Sequence, residues 1–186
     1  MSTVQRVNFE PVSDINPIHR RDFPLSDPTL SNPLNADALV DGEYMTLDNN
    51  VGNTFGKLIR AIDITGDEGT AATVLSFPLF AERGRYDVQA IADRKMPVLY
   101  LGQYEFNTRI FNIAANINGK GNAAIATLLQ PVKVAHIILG GKDLSGLVGA
   151  AFTDNTPIVG YVTRLPSGNG GQLRFISGWA VANGAA

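Results

Sequence analysis

The chain contains no cysteine, a single tryptophan and only two histidines in 186 residues. The absence of cysteine excludes disulfides, thiolate nucleophiles and cysteine-ligated zinc or iron-sulfur centres. The two histidines, His19 and His136, lie far apart in the sequence and have no companion at ligand spacing. Because a metal site needs three or four converging ligands, we interpret His136 as a packed strand residue and expect neither a metal nor a cofactor.

An excess of one charge and long apolar runs are also missing. Fifteen Lys and Arg face seventeen Asp and Glu, and the basic residues are scattered, whereas a surface that follows phosphates needs them clustered. No run approaches the ~20 apolar residues that span a bilayer, and no basic region precedes an apolar one at the N-terminus. These absences predict a soluble protein made in the cytoplasm, without direct contact to nucleic acid or membrane.

Motifs of catalysis are missing too. There is no Gly-x-Ser-x-Gly elbow, and residues 140–143 resemble a phosphate loop only superficially, because Asp143 stands where a Ser or Thr is required. We interpret residues 140–143 as a tight turn. Glu82 and Glu105 are the carboxylates beside the central strands, and the arginines near them favour structural ion pairs over acid-base chemistry. We therefore expect the protein not to be an enzyme.

Nineteen glycines and ten prolines predict frequent turns and short strands. The stretch 80–112 carries the strongest strand signals. An apolar run at 98–101 is typical of a buried strand, and residues 104–111 alternate in the manner of a half-exposed one. A small ion-pair network is predicted at the turn before these strands, formed by Glu82, Arg83, Arg85 and Asp87.

The remaining strands are predicted from alternation between turn signals. Residues 113–121 read as a loop, and periodicity leaves 123–129 open between a short helix and a strand. We predict an all-β fold, a compact β-barrel or sandwich-like domain, at residues 37–186. Its further strands are expected at 41–47, 56–64, 72–77 and 132–139, and its hairpin at 157–165 and 171–181 around the turn 166–170.

Residues 1–36 differ from the rest, because half of the prolines lie there. Proline removes an amide donor and favours extended backbone before it, so an extended arm is predicted instead of a helix or a central strand. Bulky apolar residues recur along the arm, which a solvated linker would not need. Two docking sites stay open, the chain's own domain and another subunit. The candidate partner contacts are Phe9, Ile18, Phe23, Leu25 and Leu30.

Three ordered sets of segments resemble decoration (cement) proteins of tailed-bacteriophage capsids and related small phage structural proteins. They are NPL at 32–34 with DGEYMTL at 41–47, FAERGRYDVQA at 80–90 with PVLYLGQYEFNT at 97–108, and IVGYVTRLP at 158–166 with QLRFISG at 172–178. The sequence departs from the family's pattern between Ala114 and Leu139, so no individual loop contact is transferred.

The resemblance implies a β-barrel-like domain on the outside of the icosahedral shell, where it would hold major capsid subunits together as a dimer or trimer without catalysis. One alternative is another virion component of the tail or of head completion. Another is a β-barrel module, or a small hydrolase, that recognises a sugar or other small molecule at aromatic side chains. Aromatic residues in strands are more often core residues, which makes this the weaker alternative. Its candidate aromatics are Tyr100, Tyr104 and Trp179.

Overall fold

The computed structural model describes residues 9–12, 20–31, 38–40, 42–47, 57–60, 79–81, 95–99, 104–117, 121–151, 158–168 and 170–177. These residues form strands and one short 3-10 helix, at Pro28–Ser31, so the all-β prediction is confirmed. The strands are β1 Phe9–Pro11, β2 Arg20–Pro24, β3 Tyr44–Leu47, β4 Leu58–Arg60, β5 Leu79–Ala81, β6 Lys95–Leu99, β7 Glu105–Thr108, β8 Phe111–Asn112, β9 Pro131–Leu139, β10 Lys142–Gly149, β11 Gly160–Arg164 and β12 Leu173–Ser177.

The described strands form two open sheets and no closed barrel. The larger sheet has the order β1-β7-β12-β11-β9-β10-β8, and the smaller one the order β2-β6-β5-β3-β4. Neighbouring strands are antiparallel except β8 and β10, which run parallel. Both sheets of described strands therefore have edge strands. Segments of the N-terminal arm can pair with the sheets at these edges.

Two segments of the arm form edge strands of the chain's own sheets. β1 pairs with β7 at one edge of the larger sheet, and β2 pairs with β6 at one edge of the smaller sheet. Pro11 and Pro24 each end one of these strands. Proline cannot donate to a strand ladder and is tolerated at sheet edges, so the prolines fit this placement.

The hairpin of β9 and β10 has both faces covered. On one face Val132 and Leu147 belong to a core cluster with Phe106 and Phe175, whose ring centroids lie 5.7 Å apart. On the other face Ile137 and its cross-strand partner Leu144 pack in a second cluster. Tyr44 of β3 joins the first cluster, so the smaller sheet contributes to the core of the larger one.

The turn of this hairpin is shorter than predicted. Gly140 and Gly141 have φ of 58° and 77°, as a two-residue turn of type I′ requires, and the ladder pairs Leu139 with Lys142. Lys142 and Asp143 are therefore the first residues of β10 and not part of the turn. The strand that follows them was not predicted.

Two further predictions are wrong. The strand predicted at 104–111 ends at Thr108, and after Arg109 and Ile110 the chain joins the opposite edge of the larger sheet as β8. Residues 123–129 form neither a helix nor a strand, only a bridge from Ala123 to Gly149 and a turn.

The other predicted strands are confirmed where the structure describes them. They are β3 within 41–47, β4 within 56–64, β9 at 132–139 and the hairpin of β11 and β12. Of the run at 98–101, residues 98–99 belong to β6, while residues 100–101 and the strand at 72–77 lie outside the described residues.

Candidate functional site

The candidate contacts of the arm lie at different depths. Leu25 is 4% exposed and forms a bridge with Leu58, so in this structure it belongs to the chain's own core. Phe23 and Leu30 are half-buried. Phe9 lies in β1, opposite Thr108, and Ile18 lies outside the described residues. Use of these residues by a partner stays a prediction.

Several other predicted residues lie outside the described ranges: His19, Glu82, Arg83, Arg85, Asp87, Tyr100 and Trp179. Tyr104 is half-buried and packs edge-on against Phe106 at 6.2 Å, within the first core cluster. Glu105 and Arg109 are not paired with each other. Thr163 donates to Glu105 at 2.6 Å, and Arg109 donates to the carbonyl of Gly170.

His136 occupies the strand position that was predicted for it. Its Nε2 lies 2.7 Å from Oδ1 of Asp143, across the β9–β10 hairpin, and its side chain is mostly buried while that of Asp143 is exposed. One histidine and one carboxylate do not make a metal site. Among the described residues, no group of three or more His, Asp or Glu is placed to hold a metal ion.

The face of the larger sheet that points away from the first core cluster carries a row of side chains, three of them apolar and exposed and one, Glu105, acidic. Ile176 of β12 lies opposite Tyr161 of β11 and Glu105 of β7, and the amide of Val12 donates to the carbonyl of Glu105 at 2.8 Å. Val12, Tyr161 and Ile176 are 40%, 38% and 37% exposed. We call this surface the outer face.

A turn at 127–129 lies beside β11, where the amide of Leu129 donates to the carbonyl of Val162 at 2.8 Å. Leu128 and Leu129 are 59% and 67% exposed. Leu129 also has a φ of 60°, a left-handed conformation that is uncommon for a bulky side chain.

Polar groups beside the row are hydrogen-bonded to each other. Asn107 accepts from Arg164 Nη2 at 3.2 Å and from Arg174 Nε at 3.0 Å through the same oxygen. These two arginines flank one amide, and no carboxylate of the described residues pairs with either of them. The outer face therefore combines exposed apolar area with two positive charges that no carboxylate of the described side chains neutralises.

A cleft of about 650 Å³ opens elsewhere, between the tip of the β9–β10 hairpin and the loop that joins β11 to β12. Its walls are mostly apolar and include Ile110, Leu139 and Leu144. Arg109 and Lys142 also line it, and no carboxylate of the described residues does. A cleft lined by cations over apolar walls focuses a positive potential.

A buried ion pair joins the two sheets. Glu43, which is fully buried, accepts from Arg60 Nε of β4 at 2.5 Å and, at 3.3 Å each, from the amides of Val40 and Ser145 of β10. Desolvation raises the pKa of Glu43 above its ordinary value, and the Arg60 charge and these hydrogen bonds only partly offset it. Ser145 is 1% exposed, so its hydroxyl is out of reach of a substrate.

Sequence reasoning missed Glu43, although Arg60 offered a signal. Arg60 shares a face with the apolar Leu58 in the strand predicted at 56–64, and both faces of that segment are partly apolar. A buried cation requires an acidic partner, which the sequence supplies at Glu43, two residues before the cross-strand partner of Arg60, Met45. The sequence contains no comparable signal for the outer face or the cleft, because both are formed by residues of strands that become neighbours only in the fold.

No model of a protein family, no curated protein and no solved structure shows a significant match to the chain. Within the described part of the chain, no helix is both long and apolar enough to cross a membrane.

Proposed function

We propose that this chain is a virion structural protein that decorates the outer surface of a tailed-bacteriophage capsid and stabilises it by bridging major capsid subunits, with no catalytic activity. The observation that carries the proposal is the exposed apolar row of Val12, Tyr161 and Ile176 on a hydrogen-bonded sheet. Exposed apolar side chains grouped on a rigid element mark interaction surfaces. Tyr161 and Ile176 are cross-strand neighbours here, and Glu105 lies between Ile176 and Val12. The ordered resemblance to decoration proteins supports a capsid shell as the partner.

Leu129, in the turn beside β11, adds support. A bulky residue with a φ of 60° is strained, and here the strained residue presents a side chain that is 67% exposed. The strained backbone does not bring the side chain into the core, so a contact with another molecule is the better explanation for it. Arg164 and Arg174, which have no carboxylate partner among the described residues, favour an acidic partner surface beside the apolar contact.

A capsid presents the same surface many times, and this suits a modest interface. Two or three linked copies of the chain, docking together, reach a high effective concentration at the second and third sites, so each contact need not be strong. The proposal therefore includes a dimer or trimer on the capsid exterior.

The test is a binding experiment with expanded, undecorated heads of the source phage. Purified protein is added at increasing concentration, and bound protein is measured after sedimentation of the heads. We expect saturation at a fixed ratio to the major capsid protein. Tyr161→Asp with Ile176→Asp should weaken binding by roughly tenfold or more, because carboxylates would be desolvated at the contact. The matched control is Ile138→Asp, at an apolar side chain that is 57% exposed outside the row.

Leu129→Gly separates docking from folding. Glycine adopts a left-handed φ without strain, so the free energy of unfolding should stay equal or rise while binding to heads falls. Absence of saturable binding by the wild-type chain would refute the proposal, as would loss of binding in Ile138→Asp alone. Binding to tails instead of heads would favour the tail component.

A further inference from the structure

We propose that the cleft between the β9–β10 tip and the β11–β12 loop binds a carboxylate carried on an apolar body. This site does not rest on the proposed function, because the cleft shares none of the residues of the exposed apolar row. Its volume of about 650 Å³ falls within the range of small-molecule pockets, roughly 300 to 1,000 Å³.

Arg109 provides the main reason to expect an anion. The carbonyl of Gly170 accepts from its Nη1 and holds the guanidinium at the cleft wall. Nε of Arg109 is buried and has no hydrogen-bond partner among the described residues. A guanidinium carries five N–H donors, and among the described residues the carbonyl of Gly170 accepts from it. Because Nε is itself buried, a carboxylate in the cleft would accept from the terminal nitrogens of the guanidinium.

Lys142 supplies a second positive charge from the other side of the cleft. It begins β10 next to the Gly140-Gly141 turn and is exposed. The carboxylate nearest in sequence, Asp143, contacts His136 instead and does not line the cleft. No ion pair within the described residues neutralises Lys142. The positive charges of Arg109 and Lys142 therefore favour a negatively charged ligand in the cleft.

The walls restrict the kind of anion. Phe111, Ile113 and Leu139 form apolar surface that a hydrated, doubly charged phosphate would not use. A planar carboxylate suits the donor fork of a guanidinium, and an apolar body attached to it can cover these side chains. The carboxylate can belong to a free organic acid or to an acidic side chain within an apolar peptide.

The experiment titrates the whole chain with small probes and follows backbone amide signals by NMR. The free acid is 4-phenylbutanoate, and its neutral control is 4-phenylbutanamide. The peptide is Ac-Leu-Glu-Leu-NH₂, with Ac-Leu-Gln-Leu-NH₂ as its control, and inorganic phosphate is the third anion. We expect the two carboxylates to shift signals of Arg109, Leu139, Lys142 and Gly170, and the amides to shift them far less. The carboxylate that binds more tightly identifies the source.

Variants connect the binding to the cations. Arg109→Gln should weaken 4-phenylbutanoate binding by roughly 10- to 100-fold, as expected for a hydrogen bond to a charged group. The exposed Lys142→Gln should weaken it by roughly 2- to 5-fold. Lys57→Gln removes the same charge outside the cleft and should have no effect. If Arg109→Gln fails to fold, Arg109→Lys and Lys142→Gln still measure the charge dependence.

The proposal is overturned if neither carboxylate shifts the cleft signals, or if the neutral amides bind as well as the acids. Tighter binding of inorganic phosphate would overturn it too, and so would equal binding by Lys142→Gln and Lys142→Glu. Failure of the chain to bind phage heads would leave this result unaffected.

Discussion

Glu43 is the residue that connects the two sheets. Its carboxylate accepts from Arg60 in the smaller sheet and from the amide of Ser145 in the larger one. β8, the neighbour of β10, pairs only with Leu147 and Val148, so the ladder does not reach the amide of Ser145. A buried amide without a hydrogen-bond acceptor is costly. A longer β8 would have supplied a backbone carbonyl to the amide of Ser145, and the carboxylate of Glu43 accepts this hydrogen bond instead.

We expect the buried carboxyl to make stability depend on pH. Because burial raises the pKa of Glu43 above 4.5, the folded chain holds this proton more tightly than the unfolded chain. The contribution of Glu43 is therefore complete below the unfolded pKa and is lost as the pH rises through the folded pKa. Chemical denaturation of the wild type and Glu43→Gln across this range measures it. The difference between the two proteins should change with pH in that direction, and a constant difference would contradict the prediction.

Arg60→Met tests the cation of the same pair. Removing one partner of a buried pair leaves a buried charge and destabilises by about 3 to 5 kcal/mol. The loss should be smaller at acidic pH, where Glu43 is protonated. The matched control is Asp143→Asn, which removes the more exposed pair with His136 and should change the free energy of unfolding by about 1 kcal/mol at most. Equal effects of the two variants in urea titrations would argue against a buried pair.

β10 is a central strand with an unusual composition. It contains two glycines, Gly146 and Gly149, which weaken a strand by propensity, and a buried serine, Ser145. Close neighbours explain the glycines, because a Cβ at Gly146 would clash with the side chain of Ile137 and one at Gly149 with the backbone carbonyl of Ala123. The hydroxyl of Ser145 is buried without a hydrogen-bond partner among the described residues.

Two alanine substitutions in this strand should therefore act in opposite directions. Gly149→Ala should destabilise the chain by about 1 to 3 kcal/mol, because the backbone of residue 123 would have to move. Ser145→Ala removes an unsatisfied buried hydroxyl and should be neutral or stabilising. Thermal unfolding of both variants provides the measurement. A stabilising Gly149→Ala would show that the approach of residue 123 is looser than described.

Leu25 tests whether the arm belongs to the fold of its own chain. It is buried and lies beside Leu58, so Leu25→Ala should cost about 2 to 5 kcal/mol in the isolated protein. The control is Thr29→Ala, at an exposed residue four positions further along the chain. An unchanged free energy of unfolding in Leu25→Ala would mean that the arm docks on another subunit.

Prediction from sequence succeeded where alternation and turn chemistry agreed. The hairpin of β11 and β12 and the strand β9 follow from local patterns and lie where expected. β10 was missed because its glycines and serine weaken the local strand pattern. The glycines are required by close contacts with Ile137 and Ala123, which cannot be read from neighbouring positions in the sequence. The break after Thr108 was missed because alternation continues to Phe111 while the chain changes its neighbouring strand.

Neither candidate surface could be read from the sequence as a unit. The row of the outer face combines Val12, Tyr161 and Ile176 from three distant parts of the chain, and pairing brings them together. Arg109 was predicted to be structural, but its neighbour Lys142 in the cleft was assigned to a turn. Such sites depend on which strands are neighbours in the fold. The composition indicated only that the chain has few residues suited to catalysis or metal binding.

A protein that binds only the assembled shell stabilises that shell by mass action. The gain per site grows with free concentration and reaches about 2.7 kcal/mol at a hundredfold excess over the dissociation constant. Heads without this protein should therefore assemble but rupture at lower temperature or under osmotic shock, and adding the protein back should restore them. The double variant of Tyr161 and Ile176 should fail to restore them. Release of packaged DNA, measured by dye binding, follows the rupture.

The most direct measurement is an electron cryo-microscopy map of heads saturated with the protein. We predict density for the chain on the outside of the shell, across boundaries between major capsid subunits, with Val12, Tyr161 and Ile176 facing the shell. Undecorated heads provide the difference map. Density inside the head or only at the tail would contradict the account, and so would an exterior position in which the outer face points away from the capsid.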